Sequence, residues 1–196
     1  MAPSVSIIIP AYNASATLGE TLRSASACTY HPLEIIVIDD GSTDNTLDIA
    51  RRHAETDSRI RVLHQENAGV CRARNYAVSE SVGEYIMPID SDDLIVPEFI
   101  SLAAAILDMR PEVKVVQPRA CFFGMKDGEW KLPEFELSLL ARKNMLPASC
   151  MFRKSDWERV GGFCTEIIAR EDWEFWISIL KDGGEVVRTE EVMYHY

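Results

Sequence analysis

Three observations along the chain predict an α/β fold, a mostly parallel central sheet flanked by helices. Short β-branched runs alternate with amphipathic helical segments through residues 1–110. The runs are continuously apolar rather than alternating, as strands covered on both faces must be. Polar residues gather where those runs end. In order, Val5–Ile9 closes at Pro10, and Ala16–Ala27 sets Leu18, Leu22 and Ala25 at helical spacing. Glu34–Ile38 closes at Asp39-Asp40-Gly41-Ser42, and Ser42 or Asp44 can cap a helix reaching about Thr56. Ile60–His64 is a third strand, and Gly69 precedes a helix running to about Val82. Tyr85–Ile89 ends in Asp90-Ser91-Asp92-Asp93, with Pro97 placed for the first turn of a helix from Glu98 to Arg110.

The second half is less regular. Val113–Arg119 and a hairpin around Lys126-Asp127-Gly128 predict mixed strands, followed by a strand at Met151–Arg153 and a short helix from Ser155 to Val160. Gly161-Gly162-Phe163 breaks that helix, and Glu171 to Lys181 resumes it. Glu185–Thr189 and Val192–Tyr196 read as two closing strands. The expectation is a single domain over 1–196, with a ligand-binding half at 1–110 and a smaller mixed-strand half at 111–196. The chain stops directly after a strand, as a minimal or C-terminally truncated domain would.

Composition narrows the function. A chain of 196 residues with 47% hydrophobic and 26% charged content can bury one substantial core. A net charge of −11 excludes nucleic acid as the main partner, because phosphate backbones need a basic face. No apolar stretch approaches the ~20 residues that span a bilayer. The opening MAPSVSIIIPAYN lacks a basic leader and reads as a strand. The five cysteines are odd in number and lack CxxC spacing, which points to reduced thiols in the cytoplasm; the four histidines are scattered and suggest no metal site.

Three strands end in residues that can do chemistry: Tyr12-Asn13, Asp39-Asp40, and Asp90-Ser91-Asp92-Asp93. Ligands of an open parallel sheet bind beyond the carboxyl ends of its strands. Carboxylates gathered there repel one another unless spread apart or neutralised, and a hard divalent cation, Mg²⁺ or Mn²⁺, is the matching neutraliser. Alone, Asp-Asp-Gly-Ser is often a turn with a helix cap, and Asp-x-Asp arises frequently by chance. Two such clusters at strand ends of one sheet reinforce each other.

The ordered set Pro10-Ala11-Tyr12-Asn13, Asp39 to Asp44, Asn67-Ala68-Gly69 through Ala73-Arg74-Asn75, and Asp90-Ser91-Asp92-Asp93 resembles the signature of the family 2 glycosyltransferases. Gly161-Gly162-Phe163 and Glu171 to Trp176 resemble that family's downstream elements. The resemblance implies a GT-A fold, with its Rossmann-like sheet, and an inverting transfer from a nucleotide-diphospho-sugar, by default a UDP-sugar. The acceptor implied is a carbohydrate or lipid-linked sugar hydroxyl, in polysaccharide or glycoconjugate synthesis. By that resemblance Pro10, Tyr12, Asn13 and Asp40 hold the base, while Asn67 and Arg74 approach the nucleotide. Arg74 has an equal alternative, pairing with an acidic cluster. Asp90, with Ser91, contacts the ribose or a metal-bound water, and Asp92 binds Mn²⁺ or Mg²⁺ together with Asp90. Asp93 either takes part or caps the next segment. By the same resemblance Asp172, in preference to its neighbour Glu171, is the catalytic base; both stand at the start of a helix, where the dipole favours an ionised form but acidic first turns are also common without function. Trp173 is a candidate sugar platform, whereas Phe175 and Trp176 read as core. Related enzymes often continue into membrane-associating segments, so peripheral association at the inner membrane face is part of the expectation.

Two other classes are consistent with parts of the sequence. A sugar nucleotidyltransferase would carry a Gly-rich basic loop after the first strand, where this chain has Pro10-Ala11-Tyr12-Asn13. A nucleotide-sugar-binding module without catalysis would keep the donor residues and not need Asp172. Dinucleotide and Walker phosphate loops are absent from the sequence.

Overall fold

The structure, a computed structural model, describes residues 3–124, 126–167 and 169–196. Strands β1 (Val5–Ala11), β2 (Leu33–Asp40), β3 (Ile60–Gln65) and β4 (Tyr85–Pro88) alternate with helices α1 (Leu18–Ser26), α2 (Thr46–Thr56) and α3 (Val70–Glu80). After β5 (Leu94–Ile95) come α4 (Phe99–Met109), β6 (Val113–Phe122), β7 (Gly128–Glu129) and α5 (Leu137–Leu140). The chain closes with β8 (Met151–Arg153), α6 (Lys154–Val160), α7 (Glu171–Leu180) and β9 (Glu185–His195). The described strands form one mixed sheet in the order β3-β2-β1-β4-β8-β6-β9-β5, with β7 on β6. The first four strands run parallel, β8 is antiparallel to β4 and β6, and β5 is antiparallel to β9.

Continuous apolar runs are explained by helices on both faces. Ile7, Ile9, Ile35 and Val37 pack with Leu18, Leu22 and Phe99, while Ile8, Ile36 and Ile38 pack with Ala73, Ala77, Phe175 and Trp176. Each such isoleucine contributes roughly 1.5–3 kcal/mol through burial. Successive strand residues face opposite sides. Asp39 therefore turns to the α1 side and, fully buried, meets His64 at 2.8 Å, while Asp40 turns toward α3. Asp39 is thus not part of the acidic gathering expected at the sheet edge.

Three features depart from expectation. The two closing strands are one, β9, whose pairing with β6 shifts register between Gln117 and Ala120 and so kinks without breaking. Pro97 precedes α4 by two positions, with Glu98 at the N-cap. The short elements β5 and α5 carry no periodicity long enough to be read in sequence. Asp44, rather than Ser42, accepts the Thr46 amide at the start of α2.

Candidate functional site

A cleft of about 570 Å³ lies at the carboxyl ends of β1, β2 and β4. Parallel strands β2-β1-β4 bring Asp40, Tyr12 and the Asp90–Asp92 segment to one edge, although these residues are up to 80 positions apart in sequence. Pro10, Tyr12, Asp40 and Asn67 line it together with Arg74, Asp90, Ser91 and Asp92, joined by Glu171 and Tyr196. A larger hollow, about 770 Å³, lies against β6 and β9 with Arg119 and Arg188 in its wall. It contains none of the strand-end carboxylates, so the smaller cleft is the one where the chemistry converges.

Asp40 is 4% exposed and accepts three hydrogen bonds, from Gln65 Nε2 at 2.6 Å and from the amides of Ala68 and Gly69 at 2.9 Å. Those amides belong to the turn entering α3, an anion-favouring helix start. A carboxylate has about four lone-pair sites, so roughly one remains for a ligand donor. Asn67 is spent on structure, its Nδ2 donating to the Asp40 carbonyl at 3.0 Å. Tyr12 is 52% exposed and presents a free ring face. Asn13 is not among the residues lining the cleft: at φ 49° it accepts the Thr43 amide at 2.8 Å, and its own amide donates to Ser42 Oγ, bracing the loop after β2.

Arg74 is engaged by protein groups. It is 3% exposed, and its guanidinium donates to Asp90 Oδ1 at 2.7 Å and to Glu171 Oε1 at 3.1 Å, with Phe163 beneath it at 5.6 Å. Burial opposes its charge, but the two carboxylates outweigh that and hold its pKa above the ordinary value. Of the two readings weighed for Arg74, the geometry matches pairing with acidic residues. Asp93 is turned into the core, where Tyr194 donates to it at 2.7 Å and Ser149 donates to Tyr194 at 2.7 Å. Burial lifts the Asp93 carboxyl to about 7, against the lowering effect of Tyr194.

Asp172 sits in the first turn of α7, half-buried. Burial raises its pKa, partly offset by hydrogen bonds from Asn144 Nδ2 at 3.0 Å and the Trp173 amide at 2.8 Å. Glu171, its neighbour, is the residue of the pair that lines the cleft. The Trp173 indole donates to the Leu140 carbonyl at 2.6 Å and is partly packed in the core, and Phe175 and Trp176 are fully buried. Sequence reading missed Asn144 and Tyr196. Asn144 lies 28 positions before its partner in a stretch without period, so no local signal marks it.

Among the described residues no three His, Cys, Asp or Glu side chains converge to cage a metal. The residues nonetheless fit a hard ion held mainly by phosphates. Asp90 is committed to Arg74, and Asp92 is an exposed carboxylate on the cleft wall. Mg²⁺-like ions are commonly held by one or two carboxylates plus substrate phosphates.

Glycosyltransferase GlyG of Streptococcus pneumoniae is 43% identical over 96 residues, covering 48% of this chain and 32% of that protein. The chain spans only between 16% and 32% of the length of such curated relatives. Residues 1–349 of S. aureus TarS in complex with UDP superimpose with a TM-score of 0.84 at 23% identity, over 98% of this chain and 60% of that one. The mannosyltransferase PcManGT of Pyrobaculum calidifontis, in complex with GDP-Man and Mn²⁺, gives 0.78 at 24% identity, over 100% and 57%. These likenesses establish a GT-A-type fold. The sequence model described as glycosyl transferase family 2 matches residues 6–171, and the chain belongs to that family.

Proposed function

We propose that the chain transfers a sugar from a nucleoside-diphosphate donor to a hydroxyl of a carbohydrate or lipid-linked sugar, with inversion, and with Mn²⁺ or Mg²⁺ as cofactor. The observation that carries the reading is the single cleft lined by Asp40, Asp92 and Glu171, with Asp172 next along α7. Family membership supports it, and TarS with UDP and PcManGT with GDP-Man and Mn²⁺ support the donor class and the ion. UDP is the base we favour.

In this reading the Tyr12 ring stacks on the base and the remaining acceptor site of Asp40 takes a base N–H. Asp92 would hold the ion, which would supply positive charge to offset that of the departing diphosphate. Asp90, fixed by Arg74, orients the ribose beside Ser91. Asp172 takes the proton of the acceptor hydroxyl as that oxygen bonds to the anomeric carbon and the bond to the diphosphate breaks. Its raised pKa brings its basicity closer to that task. No covalent intermediate is needed. The free cysteines fit a reducing compartment, and we place the reaction in the cytoplasm, with peripheral association at the inner membrane face. Among the described residues no helix is long and apolar enough to cross a membrane.

Two variants test the division of labour. Asp92→Asn is expected to lose Mn²⁺-dependent nucleotide binding in calorimetry. Asp172→Asn is expected to bind nucleotide normally and to lose transfer by at least 100-fold, the scale of general-base catalysis. Normal metal-dependent binding by the first, or near-normal transfer by the second, contradicts the corresponding assignment.

A further inference from the structure

We infer that Asn144 is a positioning residue for Asp172, holding its carboxylate in one orientation and in its ionised form. The inference rests on the reading of Asp172 as the base. The amide cannot be turned around: its Oδ1 accepts the Leu146 amide at 3.2 Å, which leaves Nδ2 to donate to Asp172 Oδ2 at 3.0 Å. The other oxygen, Oδ1, takes the Trp173 amide at 2.8 Å, so both oxygens are held by donors and the plane of the carboxylate is fixed.

The loop that carries Asn144 has no regular structure, yet it is anchored. Met145 and Leu146 are buried in the core beneath α7. The Trp176 indole donates to the Pro147 carbonyl at 3.0 Å, and the Trp173 indole to Leu140. Ser149 joins Tyr194 and, through it, Asp93 beside the Asp92 segment. Two side chains of α7, Trp173 and Trp176, thus anchor the segment that presents Asn144. A rigid support of this kind is what a functional carboxylate needs to keep its geometry.

Electrostatically, a donor aimed at a carboxylate favours the charged form. The charged or titratable neighbours of Asp172 are Glu171 on its own helix, Arg74 on α3, Cys150 before β8 and Tyr196 after β9. Glu171 pushes the carboxyl up and Arg74 pulls it down, but Arg74 already serves Asp90 and Glu171. Asn144 is the side chain that offsets burial most directly.

The test is a carboxyl ¹³C NMR titration of the aspartate-labelled chain, with the Asp172 signal assigned by its loss in Asp172→Asn. Asn144→Leu is expected to raise the Asp172 midpoint by about one pH unit. Asn144→Asp keeps an acceptor for the Leu146 amide but sets a second carboxylate beside Asp172, and is expected to raise the midpoint further. It also serves if the leucine variant fails to fold. An unmoved midpoint in the folded variants overturns the inference, even if their melting temperatures fall. Transfer assays keep the base assignment separate: full transfer by Asp172→Asn defeats that assignment, whereas an inactive Asp172→Asn with an unmoved midpoint defeats only the role of Asn144. With both correct, the acid limb of kcat in Asn144→Leu moves up with the midpoint while donor KM holds.

Discussion

Asp93 and Arg74 show how burial divides one acidic cluster into different jobs. Asp93 is 3% exposed and its carboxyl titrates at about 7, above the ordinary 3.8. In the folded state it therefore keeps a proton that the unfolded chain has released. Stability from this group is fully present below pH 4 and is lost as pH rises toward 7. Asp93→Asn keeps an oxygen for the Tyr194 hydroxyl and removes that dependence; at pH 8 it is expected to be more stable than the parent by about 2 kcal/mol, read by urea unfolding. Loss of stability at pH 8 would contradict the burial account. Arg74 is the opposite case, a buried cation with two anionic partners. Arg74→Met leaves Asp90 and Glu171 facing each other without compensation and is expected to cost about 3 kcal/mol. A loss below about 1 kcal/mol would mean the two ion pairs bind the halves together only weakly.

The elements carry the next level, through the close approach of the β2 end to the turn before α3. Gly41 has φ +72°, and a Cβ there would stand 2.6 Å from the Asn67 amide nitrogen. Gly41→Ala is strained and pushes away the turn whose amides hold Asp40. It is expected to weaken nucleotide binding at least tenfold in calorimetry while the sheet, followed by far-ultraviolet circular dichroism, persists. Unchanged affinity would show that the turn does not shape the base pocket. The parallel strands and the helices between them are legible in sequence because β-branched runs covered on both faces have no other home. The Asp40 and Asp90 clusters are legible for the same reason, since each ends such a run. The fate of Asp39 follows from strand alternation, which adjacent carboxylates in a turn-like motif conceal. The kink of β9 depends on a register shift against β6, a pairing that no local pattern encodes. Asn144 and Tyr196 reach the site through long-range packing of an aperiodic loop and a strand end.

At the scale of the whole molecule, one sheet joins both halves, and Arg74 ties the first half to α7 directly across the cleft. That arrangement puts Asp40, Asp92 and Asp172, the residues to which we assign the donor and the base, on one frame. In the proposed reading the charge balance follows: a chain of −11 that held a diphosphate at carboxylates would need a cation between them. Calorimetric titration with UDP and GDP, with Mn²⁺ and then with chelator, tests this most directly. One diphosphate is expected to bind, with binding at least tenfold weaker on chelation, and Asp92→Asn is expected to abolish the difference. Binding of neither diphosphate, or equal binding with and without the metal, would contradict it.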